Sequence, residues 1–337
     1  MKCPPDQVPM FALAMPAYNA GSTLGEAVES VLAQTFESWE LVIVDDGSTD
    51  LTPSIAEAYA ACDPRIMVVH QANAGCGPAR SVAIDSSTGP YIVHFDADDV
   101  LLPGCLEAYA GFISDHSSYD IFSCNAEVFG RPGPVVRYHT GERFDAVTEV
   151  GLEEMLERCL IMSAAAVFTR DIYQRAGGFL RDVQTEDYDQ WLRAMAVGAR
   201  HIFVPKVLVR YRMGPNQMTA SFERLLDDTG ESLQHLAASG LLDTRLAALA
   251  RRSARRYARR ARQHHFAGAR EALEDRLCRG DLWDARREFL RTRLAYASAA
   301  RFAVATPVVM ASPRLYAAYL RRRRARSAGL LTAGDHR

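Results

Sequence analysis

Four apolar runs of strand length alternate with three helical stretches in the first hundred residues, and that alternation constrains the fold more than anything else in the chain. The runs are Phe11-Ala-Leu-Ala-Met15, Leu41-Val-Ile-Val44, Ile66-Met-Val-Val69 and Tyr91-Ile-Val-His-Phe95. Helical periodicity falls near 22–34, 52–62 and 77–87, with Ser48 and Thr49 read as helix caps and Pro53 suited to a first turn. This order predicts an α/β, Rossmann-like fold: a mostly parallel sheet flanked by helices. Such sheets bind ligands beyond the carboxyl ends of their strands. The polar residues stand at those ends: Tyr18 and Asn19, Asp45 and Asp46, then Asp96, Asp98 and Asp99.

After Asp99 the pattern becomes mixed. Pro103 opens a helix to about His116, and Tyr119 to Val128 reads as a strand. Residues 130–150 read as a loop bordering an acceptor. A helix near 149–160, a strand near 161–169, a helix over Glu186 to Val197 and one or two strands over 201–212 follow. From about Phe222 the reading is helical. The expected division is a catalytic region 1–220, split near residue 100 into a nucleotide half (about 9–100) and an acceptor half (about 101–220), and a helical C-terminal extension 221–337. Charge follows the same division. The net charge of the 337 residues is only −2, yet residues 245–326 hold 22 Arg against six acidic residues. Seven scattered cysteines without a CxxC pair predict free thiols in a reducing compartment. No apolar leader and no stretch of about 18 apolar residues is present, so the expected address is cytoplasmic, with the inner face of the membrane as a further place of contact.

Asp96-Ala97-Asp98-Asp99 is the sharpest chemical feature. Three carboxylates in four residues after a buried strand repel one another unless a cation is present. Hard oxygen ligands suit Mg2+ or Mn2+, and such an ion completes its shell with water and phosphate oxygens. A solvated acidic turn would produce the same letters. Asp45-Asp46-Gly47-Ser48-Thr49-Asp50 offers carboxylates to a base or ribose, or serves as a turn and cap. Pro16-Ala17-Tyr18-Asn19 places a ring and an amide beside it. Asn73-Ala74-Gly75-Cys76-Gly77-Pro78-Ala79-Arg80 is a Gly-bearing loop opening a helix, with an Arg able to reach a phosphate.

Together these four segments resemble the family 2 glycosyltransferases with the GT-A fold, and the resemblance covers roughly residues 9–215. It implies that Pro16, Tyr18, Asp45, Asp46 and Arg80 hold the donor's nucleoside, commonly uridine. It also implies that Asp98 is the metal ligand, that Asp96 supports the ribose or metal waters, and that Asp99 stands behind them. Further along, Gly177-Gly178-Phe179 precedes Glu186-Asp187, which matches the family's G-G-F and E-D pair. The match implies that Asp187 is the general base, with Glu186 supporting it. One such group is needed, because the acceptor hydroxyl loses its proton as it attacks the anomeric carbon, and a single in-line displacement inverts that centre. The bland reading of Glu186-Asp187 is favourable charge at a helix start.

The chain departs from the family at Tyr211-Arg212-Met213-Gly214, where Gly214 stands in the usual position of a His; Arg212 remains as a diphosphate contact. Trp191 is read as packing or as part of the acceptor wall, His94 as a core residue, and Cys76 and the pair His264-His265 as bland. The Arg-rich tail is read either as a helical appendage with a solvated basic face or as an interfacial segment at membrane headgroups; no nucleic-acid module is recognisable in it. The expected activity is an inverting, metal-dependent transfer from a nucleoside-diphosphate sugar, a UDP-sugar in the first instance, to an acceptor hydroxyl. Its setting would be bacterial cell-surface polysaccharide or glycolipid assembly. Two rivals are weighed against it. A nucleotidyltransferase would carry a Gly- and Arg-rich loop where Pro16-Ala-Tyr-Asn-Ala-Gly-Ser-Thr23 stands, and a catalytically weak nucleotide-sugar-binding or membrane-tethered protein would tolerate Gly214 but not require Asp98 and Asp187.

Overall fold

The computed structural model describes residues 8–130, 137–138, 146–161, 163–180, 183, 185–214 and 222–279. In chain order the elements are β1 (Phe11–Ala17), α1 (Leu24–Leu32), β2 (Trp39–Asp45), α2 (Thr52–Cys62), β3 (Ile66–His70), α3 (Cys76–Asp85), β4 (Tyr91–His94), β5 (Val100–Leu101), α4 (Cys105–Asp115) and β6 (Ile121–Phe129). There follow β7 (Arg137–Tyr138), β8 (Thr148–Val150), α5 (Leu152–Glu157), β9 (Val167–Thr169), α6 (Arg170–Arg175), α7 (Glu186–Ala196), β10 (His201–Arg212), α8 (Phe222–Ala238) and α9 (Thr244–Arg279).

One sheet carries the order β3-β2-β1-β4-β9-β6-β10-β5, with β7 beside β6 and β8 beside β10. The long pairs β1–β2, β2–β3, β1–β4 and β6–β10 are parallel, and the short strands β5, β7, β8 and β9 run against their neighbours. The sheet is therefore mixed but mostly parallel in its long strands, as the alternation predicts. Strand order reverses at β1, between β2 and β4, and a crevice opens beyond the carboxyl ends of strands at such a point. Asp45 and the Asp96–Asp99 turn flank it.

The core explains why the first strand is apolar throughout. Phe11, Leu13 and Met15 meet α1 through Leu24, Ala27, Val28 and Val31, whose helical spacing gives one apolar stripe. Leu106, Tyr109 and Ile113 of α4 extend the same cluster. Ala12 and Ala14 on the opposite pleat are equally buried, and α3 packs over β1 and β2. Each fully buried Leu, Met or Phe contributes about 1.5–3 kcal/mol, which holds the strand ends rigid under the polar loops.

Several boundaries differ from the sequence expectation. Helix α2 is capped by neither Ser48 nor Thr49: Asp50 accepts from the Thr52 N–H at 2.9 Å, while Ser48 and Thr49 bond to Asn19. The strand expected over 161–169 is only Val167–Thr169, because Ser163–Ala166 forms a turn with Ala165 in the left-handed region (φ 58°). The helix expected near 149–160 gives way to strand β8 and the short α5, which begins after Gly151. Helix α6 has no counterpart in the sequence expectation; the Thr169 hydroxyl caps it by accepting from Ile172 N–H at 3.3 Å. Residues 201–212 form a single strand, with register shifts between Val204 and Val209 around Pro205, which has no N–H to donate. Within the expected acceptor loop, 131–136 and 139–145 lie outside the described residues, as does the apolar tail segment 294–320.

The chain divides into two compact units, Met1–Tyr257 and Ala258–Arg337. Helix α8 and the first part of α9 belong to the first unit, and the described part of the second is the continuing helix to Arg279. No described helix is long and apolar enough to cross a membrane.

Candidate active site

The loops after β1 and β2 are stitched to each other. Asn19, left-handed at φ 49°, donates its N–H to Ser48 Oγ at 3.0 Å, and its Oδ1 accepts from Thr49 N–H at 2.8 Å. Asp50 Oδ2 accepts from Gly21 N–H at 2.9 Å. Pro16 lies in register with Val44, inside the sheet. Tyr18 is left 53% exposed.

Both aspartates after β2 are buried and already hydrogen-bonded. Asp45 accepts from Ser48 N–H at 3.0 Å and lies 3.0 Å from His70 Nδ1; His70 Nε2 lies 2.8 Å from Glu57. Burial opposes ionisation of Asp45, but the bonds from Ser48 and His70 outweigh it and hold its carboxyl below the ordinary value. The two carboxylates hold the His70 imidazole above its ordinary value. Asp46 accepts from Gln71 Nε2 at 2.7 Å, Ala74 N–H at 2.8 Å and Gly75 N–H at 2.9 Å. Its carboxylate shapes the loop into α3. Gly47 (φ 74°) allows the close approach, since a Cβ there would stand 2.9 Å from Asn73 N.

Arg80 lies beneath the crevice rather than in it. The side chain is 1% exposed; Nη1 donates to Glu186 Oε1 at 3.1 Å and to Cys76 Sγ at 3.2 Å, and Nη2 pairs with Asp96. Its guanidinium stands 5.7 Å over the Phe179 ring. Phe179 is seated there by Gly177 and Gly178, both left-handed, whose neighbourhood Arg193 ties to α7 by bonding the Ala176 and Gly178 carbonyls. Burial raises the Asp96 carboxyl above its ordinary value; Arg80 opposes that, and Asp98 and Asp187 add to it. Glu186 is raised first by burial and then by Asp187, against Arg80.

The acidic turn is anchored from β10. The Arg212 backbone N–H donates to Asp99 Oδ1 at 2.9 Å and its Nε to the Asp98 carbonyl at 2.7 Å, while its Nη2 pairs with Glu26 of α1. The Arg212 guanidinium stacks 4.3 Å over Phe129. Asp99 is fully buried, and burial pushes its carboxyl well above the ordinary range, with Asp96 and Asp98 adding. Asp98 is half-buried at the turn. Among the described residues no group of three or more His, Cys, Asp or Glu is arranged to hold an ion by itself. Asp96, Asp98 and Asp99 are hard oxygen donors, the kind that a divalent cation takes together with phosphate and water ligands.

Asp187 opens α7. Its Oδ1 accepts from the Tyr188 N–H at 2.7 Å, and its Oδ2 accepts from the Ser163 hydroxyl. The helix is held from behind: Asp189 pairs with Arg193 at 2.7 Å, and Thr185 Oγ1 meets Ser232 Oγ of α8 at 2.8 Å. Trp191 is fully buried, 5.1 Å from Phe168 and 6.1 Å from His94, which is the packing arrangement. Burial drives His94 well below its ordinary value and keeps it neutral.

Three residues at the site are missed by the sequence reading. Glu26 is one of several polar letters on α1 and Ser163 a single polar letter in an apolar stretch, and both are far in sequence from their partners. His70 could have been found, because parallel register sets it opposite Asp45.

The sequence profile described as Glycosyl transferase family 2 matches residues 12–176. EpsE of Bacillus subtilis (strain 168), named as a glycosyltransferase, is 31% identical over 211 residues, covering 60% of this chain and 73% of that protein. The chain spans 73% of EpsE's length and 34% of that of YibD of Escherichia coli (strain K12). Among solved structures, S. aureus TarS 1-349 in complex with UDP-GlcNAc matches with a TM-score of 0.60 and 22% identity, over 72% of this chain and 70% of that one. The mannosyltransferase PcManGT from Pyrobaculum calidifontis, in complex with GDP-Man and Mn2+, matches with a TM-score of 0.55 and 19% identity, over 98% of this chain and 89% of that one. At these identities the structural likeness concerns the fold.

Proposed function

The chain belongs to glycosyl transferase family 2, and from that premise we propose that it moves a sugar from a nucleoside-diphosphate sugar to an acceptor hydroxyl with inversion, using a divalent metal. The observation that carries this reading is the Arg80 bridge. One buried guanidinium binds Asp96 of the acidic turn and Glu186, the neighbour of Asp187, so the donor carboxylates and the base helix share one site.

In this reading Tyr18 stacks on the nucleobase, the Asp45 and Asp46 loops frame the nucleoside, and Asp98 holds Mg2+ or Mn2+. The ion, when bound, neutralises charge on the departing diphosphate. Arg212, beside the acidic turn, supplies a further cation there. Asp187, a half-buried carboxylate at a helix start, removes the acceptor proton as the hydroxyl attacks opposite the diphosphate. A UDP-sugar is the first donor to test, supported by the TarS complex; the PcManGT complex supports Mn2+. The acceptor belongs to bacterial surface polysaccharide or glycolipid assembly in this proposal.

The catalytic region is taken as 1–220 and the extension as 221–337, with α8 bracing α7. The free thiols of Cys62, Cys76, Cys105, Cys124 and Cys159 support a cytoplasmic address. The outward Arg251, Arg252 and Arg255 of α9 support peripheral contact with an anionic membrane face.

The test is nucleoside diphosphate release across a panel of nucleotide sugars, with Mn2+, Mg2+ or EDTA. It compares the wild type with Asp98→Ala and Asp187→Asn, alongside calorimetric binding of UDP and GDP. Metal-dependent release lost in both variants supports the proposal. Nucleotide binding without turnover in any combination favours the weak binding-protein reading. If neither nucleotide binds in the presence of metal, the transferase reading falls.

A further inference from the structure

We propose that Ser163 is a positioning residue for the base: its hydroxyl fixes the Asp187 carboxylate plane relative to the strand that carries the acidic turn. The proposal rests on the assignment of Asp187 as the base.

Ser163 donates to Asp187 Oδ2. The opposite oxygen, Oδ1, is held by the Tyr188 N–H at 2.7 Å. A carboxylate gripped at both oxygens cannot rotate about its Cβ–Cγ bond, yet each oxygen keeps a further lone pair for an acceptor hydroxyl. Orientation of a base is worth as much as its presence, because a small misplacement of reacting groups lowers the rate by orders of magnitude.

The hydroxyl is itself held to the donor side. Ala166 N–H bonds back to the Ser163 carbonyl at 3.0 Å, closing the turn. Ala165 N–H donates to the His94 carbonyl at 2.9 Å, and His94 N–H donates to the Ala166 carbonyl at 2.8 Å. His94 ends β4, two residues before Asp96. The turn is thus clipped to the strand that aims Asp96 and Asp98, and Ser163 reaches from there to α7.

Two features of the turn show that its shape is imposed. Ala165 adopts φ 58° without being glycine, a conformation that persists only where the surroundings force it. Ala164, Ala165 and Ala166 are all buried, while Ser163 is only half-buried. Its hydroxyl has Asp187 as its partner.

The test measures kcat and donor KM for Ser163→Ala, Ser163→Thr and Asp187→Asn with the nucleotide sugar that gives most release in the panel, together with UDP affinity and Tm. Ser163→Ala is expected to lower kcat about 10- to 100-fold, with donor KM, UDP affinity and Tm little changed. Ser163→Thr, which keeps the hydroxyl, restores most of the rate. In the Asp187→Asn background, Ser163→Ala is expected to add nothing further.

If Asp187→Asn abolishes turnover while Ser163→Ala stays within twofold of wild type, the positioning role is overturned and the base survives. Loss of UDP affinity or Tm in parallel with kcat would also overturn it, in favour of a structural role. If Asp187→Asn turns over normally, the base assignment fails instead, and this proposal with it.

Discussion

Replacing Arg80 by methionine separates a buried internal cation from a surface residue that reaches for a phosphate. Methionine keeps much of the volume and removes the charge. Breaking a buried ion pair by deleting one partner costs about 3–5 kcal/mol, because the other charge stays buried and unpaired. Two carboxylates are orphaned here, but unequally. The Asp96 side chain is 30% exposed and can rehydrate, whereas that of Glu186 is 9% exposed and cannot. Glu186 therefore carries most of the penalty, and the expected loss lies at the lower end, ~3 kcal/mol. At ~2–4 °C per kcal/mol for a unit of this size, Tm should fall by roughly 6–12 °C.

The deficit should also depend on pH. Burial already lifts the Asp96 and Glu186 carboxyls above their ordinary values, and loss of Arg80 lifts them further. A carboxyl raised in the folded state binds more protons there than in the unfolded chain. The deficit is then smallest below about pH 4 and grows as pH rises through the unfolded carboxylate range toward the raised folded values. Urea unfolding of wild type and Arg80→Met near pH 4.5 and pH 7.5 measures both terms. The double variant Arg80→Met/Glu186→Gln should recover at least ~1 kcal/mol at the higher pH, since the orphaned charge is gone. A loss under about 1 kcal/mol at pH 7.5, or a deficit that ignores pH, would refute the buried-bridge argument.

Other consequences concern single residues. His201 is fully buried on β10, 2.7 Å from Ser123 Oγ, and burial lowers it to about 3. The unfolded chain then binds a proton that the folded state refuses between that value and the ordinary one near 6.5. Moving from pH 7 to pH 5 should remove ~2 kcal/mol that His201→Gln does not lose, and equal slopes in urea titrations would contradict this. Ala165→Gly should raise stability by ~0.5–1 kcal/mol, the relief of a left-handed Cβ less glycine's added chain entropy; a lower Tm would count against strain at that turn. Gly47→Ala should cost ~1–3 kcal/mol and weaken UDP binding, because its Cβ meets Asn73 N at 2.9 Å under a positive φ; unchanged calorimetry would show that the loop relaxes freely.

Legibility differed sharply between residues of the same motifs. Tyr18, Asp98 and Asp187 carry letters that point to ligand chemistry, and Tyr18 is exposed while Asp98 and Asp187 are half-buried. Asn19, Asp46 and Asp50 carry equally recognisable letters, yet their side chains build the loops themselves. A motif records that a residue type is needed, and a carboxylate that holds three donors of a neighbouring loop is as necessary as one that holds a ligand. Arg80 shows the same ambiguity. Its helical position was readable, while its burial depends on Phe179 and Glu186, about a hundred residues away.

Periodicity and punctuation alone were enough to determine the parallel β1–β4 half, its helices and the placement of acidic residues at strand ends. Those features depend on local spacing and on the requirement that apolar strands be covered on both faces. The antiparallel insertion of β9 between β4 and β6, the turn that aims Ser163 at Asp187, the Arg212–Glu26 pair and the bracing of α7 by α8 were decided only in three dimensions. Each joins residues distant in sequence, and which polar group becomes buried, paired or free is a property of that packing.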